Sequence, residues 1–177
     1  LKYLPTEQGL VSYYGIPYSN DMYPAFRMKS ADACLVRDGQ SLATRENALA
    51  GELQKGSPRG YGRRVPLMRN GECIEFPADK NTITKRFADE GIAFISESVK
   101  EEKPFFLYLA NSMPHVPLFA SPDFKGQSEG GLYGDVIEEI DYNVGRVLDH
   151  LKALKIEENT LVVVTSDNGP WLIMKEN

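Results

Sequence analysis

The chain has 177 residues, of which 42% are hydrophobic and 25% charged, with a net charge of −5 and a pI of about 5.1. This is the composition of an ordinary globular protein, which argues against disorder, and the acidic balance gives no general attraction to nucleic acid or anionic membranes. The longest apolar run, Phe105 to Ala110, is far shorter than a membrane-spanning helix.

The first part of the chain is predicted to consist mainly of loops. Leu1 to about Arg64 is rich in Gly, Pro, Tyr and Ser and shows little hydrophobic periodicity. Val65 to Phe76 is predicted to form a β-hairpin, because Asn70-Gly71 is typical of a tight two-residue turn. Pro66 in the first arm predicts that the hairpin lies at the edge of a sheet.

Two helices and two strands are predicted after the hairpin. Apolar residues recur every four positions from about Thr82 to Lys100, which predicts a helix with Asn81 as its N-cap. Phe105 to Ala110 is predicted to be a strand buried on both faces. A second helix is predicted from about Tyr133 to Leu154, and Thr160 to Thr165 has the clearest strand pattern in the chain.

A strand, a helix and a second strand form a βαβ unit, in which the two strands are expected to be parallel with a right-handed crossover. The chain is therefore predicted to have an α/β fold. We expect part of a single domain, with a loop-rich portion over residues 1–80 and an α-β-α-β core segment over residues 81–177.

Polar residues follow both predicted strands, at the sheet edge where parallel α/β sheets bind ligands. His115 follows the first strand, and Asp167 with Asn168 follows the second. A carboxylate beside an amide carbonyl offers two hard oxygen donors, which suit Ca²⁺ or Mg²⁺. Taken alone, however, Asp-Asn-Gly is also ordinary turn chemistry, and a single histidine between prolines is more often a hydrogen-bonded loop residue. Both interpretations remain open on these residues alone.

Other polar residues have a structural interpretation. Cys34 and Cys73 could form one disulfide or none, and neither has metal-ligand spacing. His150, near the end of the second helix, is assigned no function because a basic residue suits that end of the helix dipole. Four acidic residues of this helix are expected to form a solvated face rather than a catalytic pair: Asp135, Glu138, Glu139 and Asp141.

Four segments in this order resemble the sulfatase family, specifically the arylsulfatase A type. They are Gly15-Ile16-Pro17-Tyr18-Ser19-Asn20-Asp21, then Phe105-Phe106-Leu107-Tyr108 with His115-Val116-Pro117, the helix from Tyr133 to Leu148, and the strand ending in Ser166-Asp167-Asn168-Gly169. Together they cover nearly the whole chain. The resemblance implies an alkaline-phosphatase-like sheet with flanking helices, here incomplete.

The resemblance also implies roles for individual residues. Asp167 and Asn168 would be ligands of a divalent cation, usually Ca²⁺ in this family, and His115 would contact the sulfate ester as a catalytic and substrate-binding residue. Ser19 would contribute a polar group at the sulfate pocket. Family enzymes attack sulfur with a formylglycine made from Cys or Ser in a Cys/Ser-x-Pro-x-Arg motif. The substrate would be a small-molecule or carbohydrate sulfate ester, and family members are usually exported.

The sequence departs from the family pattern in its missing catalytic parts. Neither cysteine lies in the modification motif, and the expected Asp-Asp pair and Gly-Lys-Trp-His segment are absent. Lys175 is too close to Asp167 to be the lysine expected downstream. The chain is therefore expected to be an internal segment of a catalytic domain, inactive alone. The alternatives are a related phosphate or phosphonate ester hydrolase and a noncatalytic sulfatase-like binding module.

Overall fold

The structure, a computed structural model, describes residues 5–17, 19, 65–75 and 78–169. It contains two short 3-10 helices, three strands and two long helices, which in chain order are Pro5–Glu7, β1 (Tyr14–Gly15), β2 (Leu67–Arg69), β3 (Glu72–Glu75), α1 (Ile83–Lys100), α2 (Gly131–Ala153) and Glu157–Asn159. Within these ranges, neither helix combines the length and apolarity needed to cross a membrane. The expectations for Cys34, for most of the first 64 residues and for Lys175 lie outside the described residues.

The three strands form a small antiparallel sheet in the order β1-β2-β3. Arg69 pairs with Glu72 across a two-residue turn, and Asn70 has the positive φ of 52° that such a turn requires. The edge position predicted from Pro66 is wrong, because β2 is the central strand. Pro66 precedes the first residue of β2, so its missing N–H interrupts no ladder hydrogen bond.

Helix α1 has the predicted extent but a different N-cap. The cap position is Thr82 and not Asn81, whose backbone and side-chain nitrogens both donate to Asp79 Oδ1, each at 3.1 Å. The buried face of α1 packs Ile83 and Phe87 against the sheet in one core cluster. The four-residue spacing of the apolar positions therefore predicted the packed face correctly.

Residues 105–110 lie along α1, and within the described part of the chain they pair with no strand. Alternate side chains contact the helix: the Phe105 ring meets Phe94 edge-on at 6.2 Å, and Leu107 Cδ2 would lie 3.3 Å from a Cβ at Gly91. The intervening Phe106 and Tyr108 are 73% and 74% exposed. In the described part of the chain, one face packs against α1 and the other is exposed, which contradicts the prediction of burial on both faces.

Residues 160–165, the second predicted strand, also pair with no strand among the residues that the structure describes. Leu161 is 90% exposed, and Val163 and Val164 are each 73% exposed. The predicted parallel pairing of this segment with residues 105–110 is therefore not formed in the described part of the chain. A segment with strand-forming residues becomes a β-strand only when a neighbouring strand pairs with its backbone N–H and C=O groups. Which strand lies beside it is decided by the tertiary structure.

Helices α1 and α2 pack side by side and are joined by polar contacts. The Asp89 carboxylate forms ion pairs with Lys85 Nζ and Arg146 Nη2, each at 2.6 Å. Burial opposes ionisation of this carboxyl, but the two hydrogen bonds outweigh it and lower the pKa of Asp89. His150 Nε2 lies 2.7 Å from Ser96 Oγ, so this histidine has a packing role between the helices.

The acidic residues of α2 do not form one solvated face. Glu138 and Asp141 are exposed, but Asp135 and Glu139 are buried. Asp135 accepts backbone N–H groups from the turn before the helix, at 2.8 Å from Gly126, 3.1 Å from Gln127 and 2.8 Å from Ser128. Buried carboxylates need such partners. The solvated-face prediction is therefore wrong for these two residues.

The Asp135→Asn variant should be less stable than the wild type in a pH-dependent way. Hydrogen bonds from the backbone N–H groups of Gly126 and Ser128 lower the pKa of the Asp135 carboxyl in the folded state. Its contribution is therefore present above the unfolded pKa, about 4, and is lost as the pH falls through the lower folded pKa. The difference in thermal midpoint between wild type and variant should be largest near neutral pH and shrink below about pH 4. Asp141→Asn, at an exposed position of the same helix, is the control and should show no such trend.

Candidate functional site

Ser19 is carried by the chain that leaves β1, which is held firmly against the hairpin. Tyr13 N donates to Asn70 Oδ1 at 2.9 Å, and Asn70 N donates to Tyr13 O at 2.7 Å. The Tyr14 hydroxyl accepts a hydrogen bond from Arg86 Nε at 3.1 Å, and its ring meets Phe87 edge-on at 6.1 Å. The strand four residues before Ser19 is thus fixed to both the sheet and α1.

His115 is carried by the loop at residues 111–121, which is anchored to α2 on both sides of the histidine. Met113 and Ala120 are buried and form a core cluster with Val136 of the helix. Directly after Ala120, Ser121 N donates to the buried carboxylate of Glu139 at 2.8 Å. The histidine itself is exposed between these two anchors. The loop is therefore held at both ends, and His115 is exposed to solvent at its tip.

The imidazole of His115 has a defined orientation. Its Nδ1 lies 2.7 Å from the carbonyl oxygen of Val116, which can only accept a hydrogen bond, so Nδ1 carries the proton. The other nitrogen, Nε2, lies 3.5 Å from Ser19 Oγ across 96 residues of sequence. This distance is long for a hydrogen bond. At this separation, one small polar ligand can contact both groups.

Asp167 and Asn168 lie in a bend that follows residues 160–165, with both side chains exposed. The Ser166 hydroxyl donates to the Asn168 carbonyl at 2.8 Å, which closes the turn. A carboxylate and an amide oxygen fit a hard divalent cation, but they supply fewer than the six to eight oxygens that Ca²⁺ takes. Among the described residues there is no group of three or more His, Cys, Asp or Glu side chains that could hold a metal ion. The pair therefore fits part of a cation site.

The structure thus brings two of the four predicted site residues together. Ser19 and His115 meet although 96 residues separate them. Asp167 and Asn168 lie on a turn of their own, and their position beside His115 remains a prediction, because the parallel sheet that would align the two turns is not formed in the described residues. The contact between Ser19 and His115 is the structural core of the candidate site.

Sequence reasoning missed the residue that anchors the histidine loop. Glu139 is 1% exposed and was assigned to a solvated face. The available signal was its spacing, because Asp135, Glu139 and Asn143 recur every four residues and all three are buried. Residues with this spacing share one helix face, which here lies beside the apolar positions that begin at Val136. This spacing is consistent with burial of the three residues, but it does not show which of them another segment covers.

Comparison with known proteins gives consistent matches. A family model described as Sulfatase matches residues 6–175. Arylsulfatase G of Mus musculus is 31% identical over 96% of this chain and 31% of that protein. N-acetylgalactosamine-6-sulfatase of Canis lupus familiaris is 40% identical over 64% of this chain and 23% of that protein. Human steryl-sulfatase is 41% identical over 58% of this chain and 17% of that protein. The chain thus spans less than a third of the length of these relatives.

Solved structures show the same fold. The crystal structure of Ps i-CgsB covers 86% of this chain, with a TM-score of 0.58 and 21% identity, and 31% of that chain is matched. The PsFucS1 sulfatase from Pseudoalteromonas sp. covers 85% with a TM-score of 0.56 and 25% identity, and 29% of that chain is matched. The predicted fold class, a partial α/β fold of the alkaline-phosphatase-like type, is confirmed.

Proposed function

The chain belongs to the sulfatase family, and we propose that it forms part of a sulfuric-ester hydrolase that cleaves small-molecule or carbohydrate sulfate esters. The observation that carries the proposal is the meeting of Ser19 Oγ and His115 Nε2 at 3.5 Å. Both are side chains that the family resemblance assigns to the sulfate group. Their convergence from distant parts of the sequence supports a common pocket.

In this proposal His115 and Ser19 bind and orient the ester. With Nδ1 committed to the Val116 carbonyl, the imidazole presents Nε2 to the ligand. When Nε2 is protonated, it donates to a sulfate oxygen or to the leaving oxygen, whose negative charge grows as the ester bond breaks. The Ser19 hydroxyl donates to a second oxygen of the same group. The nucleophile, formylglycine in this family, comes from outside this chain.

Asp167 and Asn168 are proposed as two of the ligands of a divalent cation, Ca²⁺ by family habit. Both side chains are exposed and offer hard oxygen donors, which supports the assignment. When bound, such a cation supplies positive charge that neutralises sulfate oxygens. The remaining ligands come from outside the described residues.

The alcohol part of the substrate is proposed only as a broad class. The relatives are named for different esters, among them an N-acetylgalactosamine 6-sulfate and a steryl sulfate. A carbohydrate sulfate is favoured because N-acetylgalactosamine-6-sulfatase of several mammals recurs among the matches at about 40% identity.

The proposal is tested with the full-length product of the gene that encodes this sequence. We expect it to hydrolyse para-nitrophenyl sulfate with a kcat/KM at least about tenfold above that for para-nitrophenyl phosphate. Removal of divalent cations with a chelator should abolish hydrolysis, and added Ca²⁺ should restore it. A preference for the phosphate ester would instead favour the phosphate-hydrolase alternative. Hydrolysis of neither ester, in a protein that still binds sulfated sugars, would favour a binding module.

A further inference from the structure

The loop that carries His115 is attached to α2 by two kinds of contact. The first is apolar and involves Met113, Ala120 and Val136, with Phe119 packed against them. The second is the hydrogen bond from Ser121 N to Glu139 Oε2 at 2.8 Å. Apolar contacts are non-directional and tolerate sliding, whereas a hydrogen bond depends on both distance and angle. The Glu139 carboxylate is therefore the contact that sets where the loop sits along the helix.

This hydrogen bond lies in the interior of the protein. Glu139 is 1% exposed and Ser121 is 7% exposed, so water cannot replace either partner. The second carboxylate oxygen, Oε1, has no hydrogen-bond partner in the described part of the chain. Burying a carboxylate is costly unless it makes a specific interaction. Within the described residues, this carboxylate accepts one hydrogen bond, which comes from the loop.

A displacement at Ser121 would be transmitted to His115. They are six positions apart in the sequence, and Pro117 lies between them with its φ restricted by the ring. The histidine is oriented by the carbonyl of Val116, which belongs to the same loop. Movement of the loop would therefore move Nε2 away from Ser19, which belongs to a part of the chain held independently by β1.

We propose that Glu139 is a positioning residue for His115, acting through the Ser121 backbone. This inference deepens the proposed function and rests on it where activity is concerned. Glu139 is buried and is assigned no contact with the ligand. Its carboxylate holds the loop so that the imidazole and the Ser19 hydroxyl meet at one point. The property required is a hydrogen-bond acceptor at the end of a side chain of this length.

The test compares three variants of the full-length protein. Glu139→Leu keeps a similar volume but removes the acceptor, and Glu139→Gln keeps the acceptor. Ser121→Ala is the matched control, because it alters the side chain and leaves the donating N–H in place. Glu139→Leu should lower kcat for a sulfate ester by about 10- to 100-fold with little change in KM, because a displaced catalytic group affects the reaction more than binding. The other two variants should stay within about threefold of the wild type.

A second readout does not depend on activity. The ring NMR signals of His115, assigned with a His115→Ala variant, should shift in Glu139→Leu and remain in place in Glu139→Gln and Ser121→Ala. If leucine prevents folding, Glu139→Asp, which withdraws the carboxylate by one methylene, should also move the signals. Unchanged His115 signals in a folded variant without the acceptor, or a loss in Glu139→Gln equal to that in Glu139→Leu, would overturn the proposal. If the wild type hydrolyses no sulfate ester, the proposed function fails, and the NMR signals still decide the positioning role.

Discussion

We expect the His115→Ala variant of the full-length protein to hydrolyse sulfate esters with a kcat about 10²- to 10³-fold below that of the wild type. His115 Nε2 is directed towards Ser19, and the ester oxygens are proposed to bind between them. Removing the imidazole removes a group whose interaction strengthens as negative charge develops on the leaving oxygen. The loss should therefore appear mainly in kcat.

The fold should survive this change. His115 is exposed, and the loop that carries it is held by buried contacts elsewhere, at Met113 and Ser121. The thermal midpoint of the variant should therefore remain close to that of the wild type. His150→Gln is the control, since His150 is the other histidine of the chain and contacts Ser96 between the helices. It should change stability more than kcat. An unaltered kcat in His115→Ala would remove His115 from the proposed site.

We expect the Asp167→Ala variant to bind Ca²⁺ more than about 100-fold more weakly than the wild type and to lose most of its hydrolytic activity. Asp167 supplies the negative charge of the pair, whereas Asn168 supplies a neutral oxygen. Loss of an anionic ligand weakens a hard cation site more than loss of a neutral one. The measurement is calorimetric titration of the metal-free full-length protein with Ca²⁺, followed by the sulfate ester assay at saturating Ca²⁺.

A surface aspartate distant in sequence provides the comparison for Asp167. Asp141 is exposed on α2, so Asp141→Ala removes the same carboxylate from the surface and should leave Ca²⁺ affinity unchanged. Because Asp167 is also exposed, its replacement should not unfold the chain. Retained Ca²⁺ affinity in Asp167→Ala would show that the ion binds elsewhere and that Asp-Asn-Gly here is a turn only.

Elements that depend on neighbouring residues were predictable from the sequence. Helix α1 occupies Ile83–Lys100 and α2 occupies Gly131–Ala153, close to the predicted limits, because apolar periodicity is a local signal. The hairpin of β2 and β3 turns at Asn70, where the sequence carries an Asn-Gly pair. Four short sequence motifs also indicated the sulfatase family, which the family match over residues 6–175 confirms.

Elements that depend on distant partners were not predictable in the same way. Residues 105–110 and 160–165 have strand-like sequences but are unpaired among the described residues, because hydrogen-bonded pairing requires a neighbour that the local sequence does not specify. The family resemblance assigned Ser19 and His115 to one sulfate pocket without predicting their contact, and spacing gave no indication of it, since the two are 96 positions apart.

The helices, the hairpin turn and the family could be inferred from the sequence alone, because each is expressed in short-range patterns or in residue type. The roles of the candidate site residues stay predictions. The burial of Asp135 and Glu139, and their hydrogen bonds with backbone N–H groups of the preceding loop, became visible only in the fold. An acidic residue on a helix can be solvated or buried, and the difference lies in whether another segment brings hydrogen-bond donors to it. For Glu139 that segment is the loop bearing His115, and their contact connects the core of the protein to its candidate site.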